Sequence, residues 1–81
     1  MAGARAVSDE LSDGEWIAIL EGCIHALPEQ QRDAILLRNY AEASWQAVAD
    51  EVGLDTPDAA RKCHGRAMKA LMKMAMARVD E

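Results

Sequence analysis

The residues best suited to chemistry are the basic side chains in the last third of the chain. Between positions 56 and 78, six basic residues accompany a single acidic one, Asp58. The basic residues are Arg61, Lys62, Arg66, Lys69, Lys73 and Arg78. Arginine and lysine donate hydrogen bonds to phosphate oxygens and to the acceptor edges of bases. This segment therefore has the composition of an element that contacts nucleic acid.

The rest of the chain carries the opposite charge. Residues 1–55 hold three basic and eleven acidic side chains, and residues 79–81 add two acids. The net charge of the whole chain is −5. An acidic remainder repels phosphates, so we expect weak non-specific binding and a nucleic acid confined to the basic segment.

Other chemistry has little support in the sequence. The 81 residues contain no phosphate loop, no zinc-ligand spacing and no nucleophile elbow. The acidic residues are scattered as on solvated helix surfaces, so we expect neither an enzyme nor a metal or cofactor site. Cys23 and Cys63 lie far apart without a CxxC pair, which predicts two reduced thiols.

Helices must position the basic residues, because residues that favour strands are scarce. Phe is absent and Val, Ile and Thr are few, whereas Ala and Met are plentiful. We therefore predict an all-α fold, a small four-helix domain that contains a helix-turn-helix and has no wing. We assign residues 1–12 to a flexible leader, residues 13–78 to the domain and residues 79–81 to a tail.

The expected compartment is the cytoplasm. No apolar run approaches the ~18–20 residues that a membrane-spanning helix needs. The first ten residues lack the apolar core of a signal peptide. We accordingly expect no membrane partner.

Residues 44–71 have the pattern of a helix-turn-helix. Ser44 is a favourable N-cap for the third helix of the domain, in which apolar residues recur at helical spacing up to Val52. Gly53 suits a helix end and a tight turn, because glycine reaches positive φ freely. Leu54 is expected to fill the corner of the turn.

The fourth helix has the clearest start signal in the sequence. Thr56 is a favourable N-cap, Pro57 fits the first helical position and Asp58 brings negative charge to the first turn. We expect this helix to run to about Ala77, and Gly65 in its middle to mark the close approach of another helix. The predicted inward face consists of Ala60, His64, Ala67, Met68, Leu71 and Ala75.

Two further helices precede this motif. The first is expected to begin at Ser12 or Asp13. Leu27-Pro28 separates it from the second, which should run from about residue 29 to residue 40. The inward stripe of the first helix is predicted to contain Ile17, Leu20, Ile24 and Leu27, with Trp16 and Cys23 at its edge. That of the second is predicted to contain Ala34, Leu37 and Tyr40, widened by Ile35 and Leu36.

Short signals follow one another in a fixed order between residues 27 and 72. They are Leu27-Pro28 before a helix, Leu36-Leu37-Arg38, Ser44-Trp45 at a helix start, Ala49 and Gly53 at the turn, and Arg66-Ala67 with Leu71. In this order the sequence resembles region four of the sigma factors of bacterial RNA polymerase, most of all the extracytoplasmic-function group. The likeness covers more than half of the chain, and the first helix fits the one that usually precedes region four.

The resemblance implies a DNA-binding domain that serves transcription initiation. In the family, this domain reads the −35 element of the promoter through the major groove and docks on the flap of the polymerase β subunit. Anti-sigma factors are further partners that the resemblance implies. Because no region two is visible, the chain would be either the C-terminal domain of a larger sigma factor or a small stand-alone relative.

The resemblance also implies which residues meet DNA. At the exposed start of the recognition helix it places Asp58, Ala59, Arg61 and Lys62. Of these, Arg61 and Lys62 would read base edges or phosphates. Phosphate contacts that set the register would come from Ser44, Arg66 and Lys69. Arg38 matches a position that is often basic and is a further candidate for contact with the DNA backbone.

A second function of a different class stays open. The chain could be a sigma-like helical module that binds a protein and has lost DNA binding. Three features favour this alternative: the acidic first half, the Met-rich end of the fourth helix, and Cys63, which stands where the family often has a basic residue. Its partner would be the polymerase, an anti-sigma factor or a second copy of the chain.

Overall fold

The computed structural model describes residues 12–80. Within that range the chain forms four α-helices and no strand, which confirms the predicted all-α fold class. The helices are α1 (Asp13–Ala26), α2 (Glu29–Ile35), α3 (Trp45–Val52) and α4 (Pro57–Asp80), and Leu36–Tyr40 continues α2 as a π-helical segment. The predicted leader lies outside the described residues except for Ser12, and α4 continues past its predicted end at Ala77.

Local capping interactions start three of the helices where the sequence predicts them. The Ser44 hydroxyl accepts a hydrogen bond from the backbone N–H of Ala47 at 3.1 Å. The Thr56 hydroxyl accepts one from Ala59 at 3.0 Å. At the start of α1, the Ser12 hydroxyl accepts from the Glu15 N–H at 3.1 Å, and the Glu15 carboxylate accepts from the Ser12 N–H at 2.9 Å. Each bond satisfies a backbone donor that the first turn of a helix would leave unpaired.

The turn between α3 and α4 depends on Gly53. Its φ is +81°, a left-handed conformation that residues with a Cβ avoid. The next N–H, of Leu54, donates to the carbonyl of Ala49 at 2.8 Å and closes the end of α3. Leu54 packs half-buried against the core, as the sequence predicts. The Gln30 side-chain amide also donates to the Val52 carbonyl at 3.1 Å, which ties α2 to the end of α3.

The last turn of the second helix is wider than an α-helical turn. The N–H of Ala41 donates to the carbonyl of Leu36, five residues earlier, at 3.2 Å. Glu42 then adopts a positive φ of 56° in the link to α3. Within this segment, Leu36 packs on one apolar part of the core and Leu37 on the other, as Ile35 and Ala34 do in the preceding α-helical turn.

The core consists of two apolar clusters that share α4. The α1 cluster lies between α1, α2 and the C-terminal half of α4, and its buried members are Cys23, Ile24, Leu27, Ile35, Ala67, Leu71 and Ala75. The α3 cluster lies between α2, α3 and the N-terminal half of α4, and its buried members are Ala34, Val48, Ala49, Ala60 and Cys63. Helix α4 contacts each of the other three helices. Its 24 residues, ~36 Å of helix, account for most of the 41 Å length of the molecule.

Both cysteines are buried as free thiols, one in each cluster, as the sequence predicts.

Two residues predicted to face the core, Ile17 and Tyr40, are exposed, so these two predictions are wrong. Ile17 is 51% exposed and does not belong to the α1 cluster, although its neighbour Trp16 packs there. Ile17 lies on nearly the same side of α1 as the buried Ile24, seven residues later, but two turns nearer the start of the helix, beyond the residues that the cluster buries on that side. Tyr40 is 58% exposed, because the π-helical turn changes the angle at which it leaves the helix.

The prediction that another helix approaches Gly65 closely is also wrong. Apart from its two chain neighbours and the adjacent backbone of α4, a Cβ added to Gly65 would meet no atom within 4 Å. Gly65 is exposed. The glycine with a close neighbour is Gly22 of α1, and that neighbour is the end of a side chain. There, an added Cβ would lie 3.0 Å from Nη1 of Arg78 in α4.

No helix in the described range is both long and apolar enough to cross a membrane.

Two glycine-to-alanine substitutions are expected to change stability in opposite directions. Gly53→Ala forces a Cβ into a left-handed conformation and should lower the free energy of unfolding by about 1–2 kcal/mol. Gly65→Ala removes backbone freedom from mid-helix into open space and should raise it by about 0.5–1 kcal/mol. Urea denaturation measures both. A destabilising Gly65→Ala would contradict the open surroundings of Gly65.

Candidate nucleic-acid interface

Three of the predicted DNA-contacting side chains share one face of α4. Lys62, Arg66 and Lys69 recur at spacings of four and three residues, which places them on one side of a helix. Together with Gly65 they line an open depression of about 320 Å³. Gly65 has no side chain, so the helix backbone forms the floor between the three long cations. We call these four residues the cationic face.

The cationic face points away from the core. The buried residues of α4 in the same stretch are Ala60, Cys63 and Ala67, which lie on the side that packs on α2 and α3. All four residues of the cationic face are exposed. Cys63, which is unusual at its position in the resemblance, is only 5% exposed and belongs to the α3 cluster. It therefore leaves the cationic face unaffected.

Asp58 joins the two cations nearest the start of α4. Its Oδ1 accepts from Nη2 of Arg61 at 2.7 Å, and its Oδ2 lies 3.3 Å from Nζ of Lys62. All three side chains are exposed. The hydrogen bonds from Arg61 and Lys62 hold the pKa of Asp58 below its usual value, so the carboxylate stays ionised near neutral pH. The two predicted base-reading residues thus form one ion-paired group with Asp58.

The other predicted contact residues lie apart from this group or offer little to a ligand. Ala59 is half-buried, and its N–H is already bonded to Thr56. Ser44 is exposed, and its oxygen caps α3. Its hydroxyl hydrogen can still be donated outward, so a contact between Ser44 and a phosphate is compatible with the cap.

Arg38 is engaged inside the protein. Its Nη1 donates to the carbonyl of Ala43 at 2.9 Å, which fixes the link between the π-helical segment and α3. The guanidinium carbon lies 4.0 Å from the centre of the Trp45 ring, a cation–π contact. Arg38 therefore does not join the cationic face, and it orders the start of α3 instead.

His64 belongs to a polar network beside the contact between Arg38 and Trp45. Its ring meets the Trp45 ring edge-on, with 5.3 Å between the ring centres. Its Nε2 lies 2.9 Å from Oδ1 of Asn39, and the amide of Asn39 donates to the sulfur of Met68 at 3.6 Å. Because Oδ1 of Asn39 can only accept, Nε2 of His64 carries the proton in this arrangement. The network joins the π-helical segment to α3 and α4.

Burial, together with the nearby positive charge of Arg38, lowers the pKa of His64. The folded protein therefore favours the neutral imidazole. His64 was predicted on the inward face of this helix, and it is half-buried there.

Two residues of this region were missed by reasoning from the sequence. Lys73 is exposed and follows Lys69 by four residues, so it extends the line of the cationic face along α4. The helical period alone could have found it. Asn39 holds His64 from 25 positions away in the sequence, and no local signal points to that pairing.

A second, chemically different surface lies between α2 and α3. Asp33, Leu36, Leu37 and Glu51 line a depression of about 240 Å³ with two leucines between two carboxylates. A neighbouring depression shares Asp33 and Glu51 and adds Glu29 to its rim. We call this surface the α2–α3 groove. In the part of the chain that the structure describes, no three of its His, Cys, Asp or Glu side chains are grouped so as to hold a metal ion.

Arg32 supplies positive charge beside this groove. Its Nε lies 3.1 Å from Oδ1 of Asp33, and its Nη2 is 4.0 Å from Glu29. Arg32 is thus paired with carboxylates of its own helix.

Comparison of this chain with protein-family models, with curated proteins and with solved structures finds no match. The functional interpretation of the cationic face and of the α2–α3 groove therefore rests on their own geometry and charge.

The lowered pKa of His64 predicts how stability depends on pH. The unfolded chain takes up a proton on this ring more readily than the folded protein does, so stability falls as the pH drops below about 6.5. His64→Gln keeps a donor for Asn39 and does not titrate. Between about pH 7.5 and about pH 5.5, the urea midpoint of the natural protein should fall further than that of His64→Gln. Equal decreases in the two proteins would show that His64 is not the group responsible.

Proposed function

We propose that this chain binds duplex DNA through the exposed side of α4, in the service of transcription initiation. The observation that carries the proposal is the arrangement of charge on one helix. Lys62, Arg66 and Lys69 lie together on the side of α4 that the core leaves free, in a chain whose net charge is otherwise negative. Such a grouping creates a positive potential that attracts a polyanion to this side of α4.

The dimensions of the cationic face suit a DNA groove. Lys62 and Lys69 are seven residues apart, which corresponds to ~10 Å along the helix. The major groove is ~12 Å wide and admits an α-helix. With α4 lying in the groove, long basic side chains on this scale reach phosphates on its walls, and the bare backbone at Gly65 lets the helix approach closely.

The motif around α4 supports the same orientation. Helices α3 and α4 are joined by the Gly53 turn and pack on each other through the α3 cluster, the arrangement of a helix-turn-helix. In that motif the first helix crosses the DNA backbone while the second enters the groove. Ser44 at the start of α3 would then contact a phosphate, and Arg61 and Lys62 at the start of α4 would meet base edges.

The sigma-like role is part of this proposal. The resemblance between residues 27 and 72 and region four of sigma factors supports recognition of a promoter −35 element and docking on the β flap of RNA polymerase. About four phosphate contacts make an isolated domain a weak binder. Tethering to the polymerase would raise its effective concentration at the promoter and offset that weakness.

A second candidate function is favoured by the α2–α3 groove. Leucines lie between carboxylates there, and such a surface suits an apolar segment flanked by basic residues. The chain would then bind a protein such as the polymerase, an anti-sigma factor or another copy of itself. The two functions are compatible, since they use different surfaces, but only the first requires the cationic face.

Binding to a random-sequence duplex at two salt concentrations tests DNA binding. With three to four phosphate contacts, affinity should fall roughly 40- to 150-fold between about 50 mM and about 200 mM salt. Absence of binding at the lower concentration would contradict the proposal and favour the protein-binding module.

A matched pair of arginine substitutions locates the contact. Arg66→Gln removes a cation from the cationic face, so the slope of log affinity against log salt should become shallower by about one. Arg78→Gln removes the same charge from the same helix, beside α1, and should leave the slope unchanged. Equal effects of the two substitutions would show that net charge, and not the cationic face, governs binding.

A further inference from the structure

Asp58 is an acidic residue within the segment proposed to contact DNA. It is the one carboxylate among residues 56–78, and it lies at the end of α4 that would enter a DNA groove first. Both of its oxygens are engaged, Oδ1 by Arg61 at 2.7 Å and Oδ2 by Lys62 at 3.3 Å. The group of three residues therefore presents one net positive charge where two cations alone would present two.

Stability alone does not account for this group. Asp58, Arg61 and Lys62 have side-chain exposures of 56%, 61% and 69%. Ion pairs between side chains so exposed contribute little to folding. A carboxylate in the first turn is favoured by the helix dipole, but it needs no basic partner for that. The pairing instead affects which ligands Arg61 and Lys62 bind.

The carboxylate changes what Arg61 and Lys62 can bind. A negative charge between them repels phosphates, so their attraction for DNA of arbitrary sequence is reduced. The bond to Nη2 restricts the rotation of the Arg61 guanidinium while leaving its other N–H groups free to donate. An arginine held in this way loses less freedom when it forms a two-pronged bond to the O6 and N7 atoms of guanine.

The cations of the cationic face beyond Lys62 lack such a partner. In the described part of the chain, no carboxylate pairs with Arg66 or Lys69. These two side chains are free to bind phosphates of any sequence. Near the start of α4, Arg61 and Lys62 are thus paired with a carboxylate. Further along the helix, Arg66 and Lys69 have no such partner among the described residues.

Resting on the proposed function, we propose that Asp58 is a specificity-determining residue for DNA. It weakens the attraction of Arg61 and Lys62 for phosphates and holds Arg61 ready for a guanine in the major groove. Its own carboxylate can accept a hydrogen bond from the amino group of a cytosine or an adenine next to that guanine. The ligand is therefore duplex DNA that presents a guanine to Arg61 in the major groove.

Two asparagine substitutions separate this role from a general effect of charge. Asp58→Asn removes the carboxylate charge and keeps the size of the side chain. Asp55→Asn makes the same change in charge at an exposed residue that precedes α4 and forms no ion pair with a described residue. The natural protein first selects its preferred site from a pool of random duplexes. The affinity of all three proteins is then measured for that site and for the random pool, at one salt concentration.

The expected result is a loss of discrimination in one variant only. Asp58→Asn should bind the random pool a few-fold more tightly, with a salt dependence steeper by about one contact. Its ratio of site affinity to pool affinity should fall about tenfold. Asp55→Asn should shift both affinities together and keep the ratio of the natural protein.

Three other outcomes would contradict the proposed role of Asp58. They differ in whether DNA binding itself is still supported. A ratio unchanged in Asp58→Asn rejects the role of Asp58 and leaves DNA binding intact. A selection that returns no preferred site does the same. Failure of the natural protein to bind any duplex at low salt rejects the proposed function, and the role of Asp58 with it.

Discussion

The structure depends on the burial of one face of α4. This face carries mostly small residues, among them Ala60, Ala67 and Ala75, and it closes both apolar clusters. Small side chains let the other three helices approach closely, so a domain of this size obtains a continuous core from a single long helix. Because those helices all pack against one side of α4, its other side stays exposed along most of its length.

That constraint separates the charges of the molecule. Basic residues of α4 lie on the exposed side, while carboxylates are concentrated on the shorter helices and line the α2–α3 groove. A polyanion is attracted to one side of the domain and repelled from the rest. The stack of Arg38 on Trp45, with His64 beneath it, fixes α3 against α4 and so holds the two helices of the motif in one relative position. The same core packing therefore supports both the fold and the surface proposed to bind DNA.

Features that depend on neighbours within one helical turn could be predicted from the sequence. The caps at Ser44 and Thr56 and the turn at Gly53 are confirmed, because each acts through residues three to five positions away. The cationic face could be predicted for the same reason, since helical periodicity places its residues on one side of α4. Features set by packing were not predictable. Tyr40 is exposed at the end of a π-helical segment, and the Arg38 guanidinium packs on the Trp45 ring of α3. No local pattern encodes either outcome.

Binding of duplex DNA by the exposed side of α4 can be tested residue by residue. The test is a titration of the isotope-labelled protein with a random-sequence duplex at low salt, followed by backbone amide chemical shifts. We expect shifts concentrated between residues 58 and 73 and at the start of α3, with the amides of α1 unchanged. Shifts confined to the α2–α3 groove, or an unchanged spectrum at low salt, would contradict it.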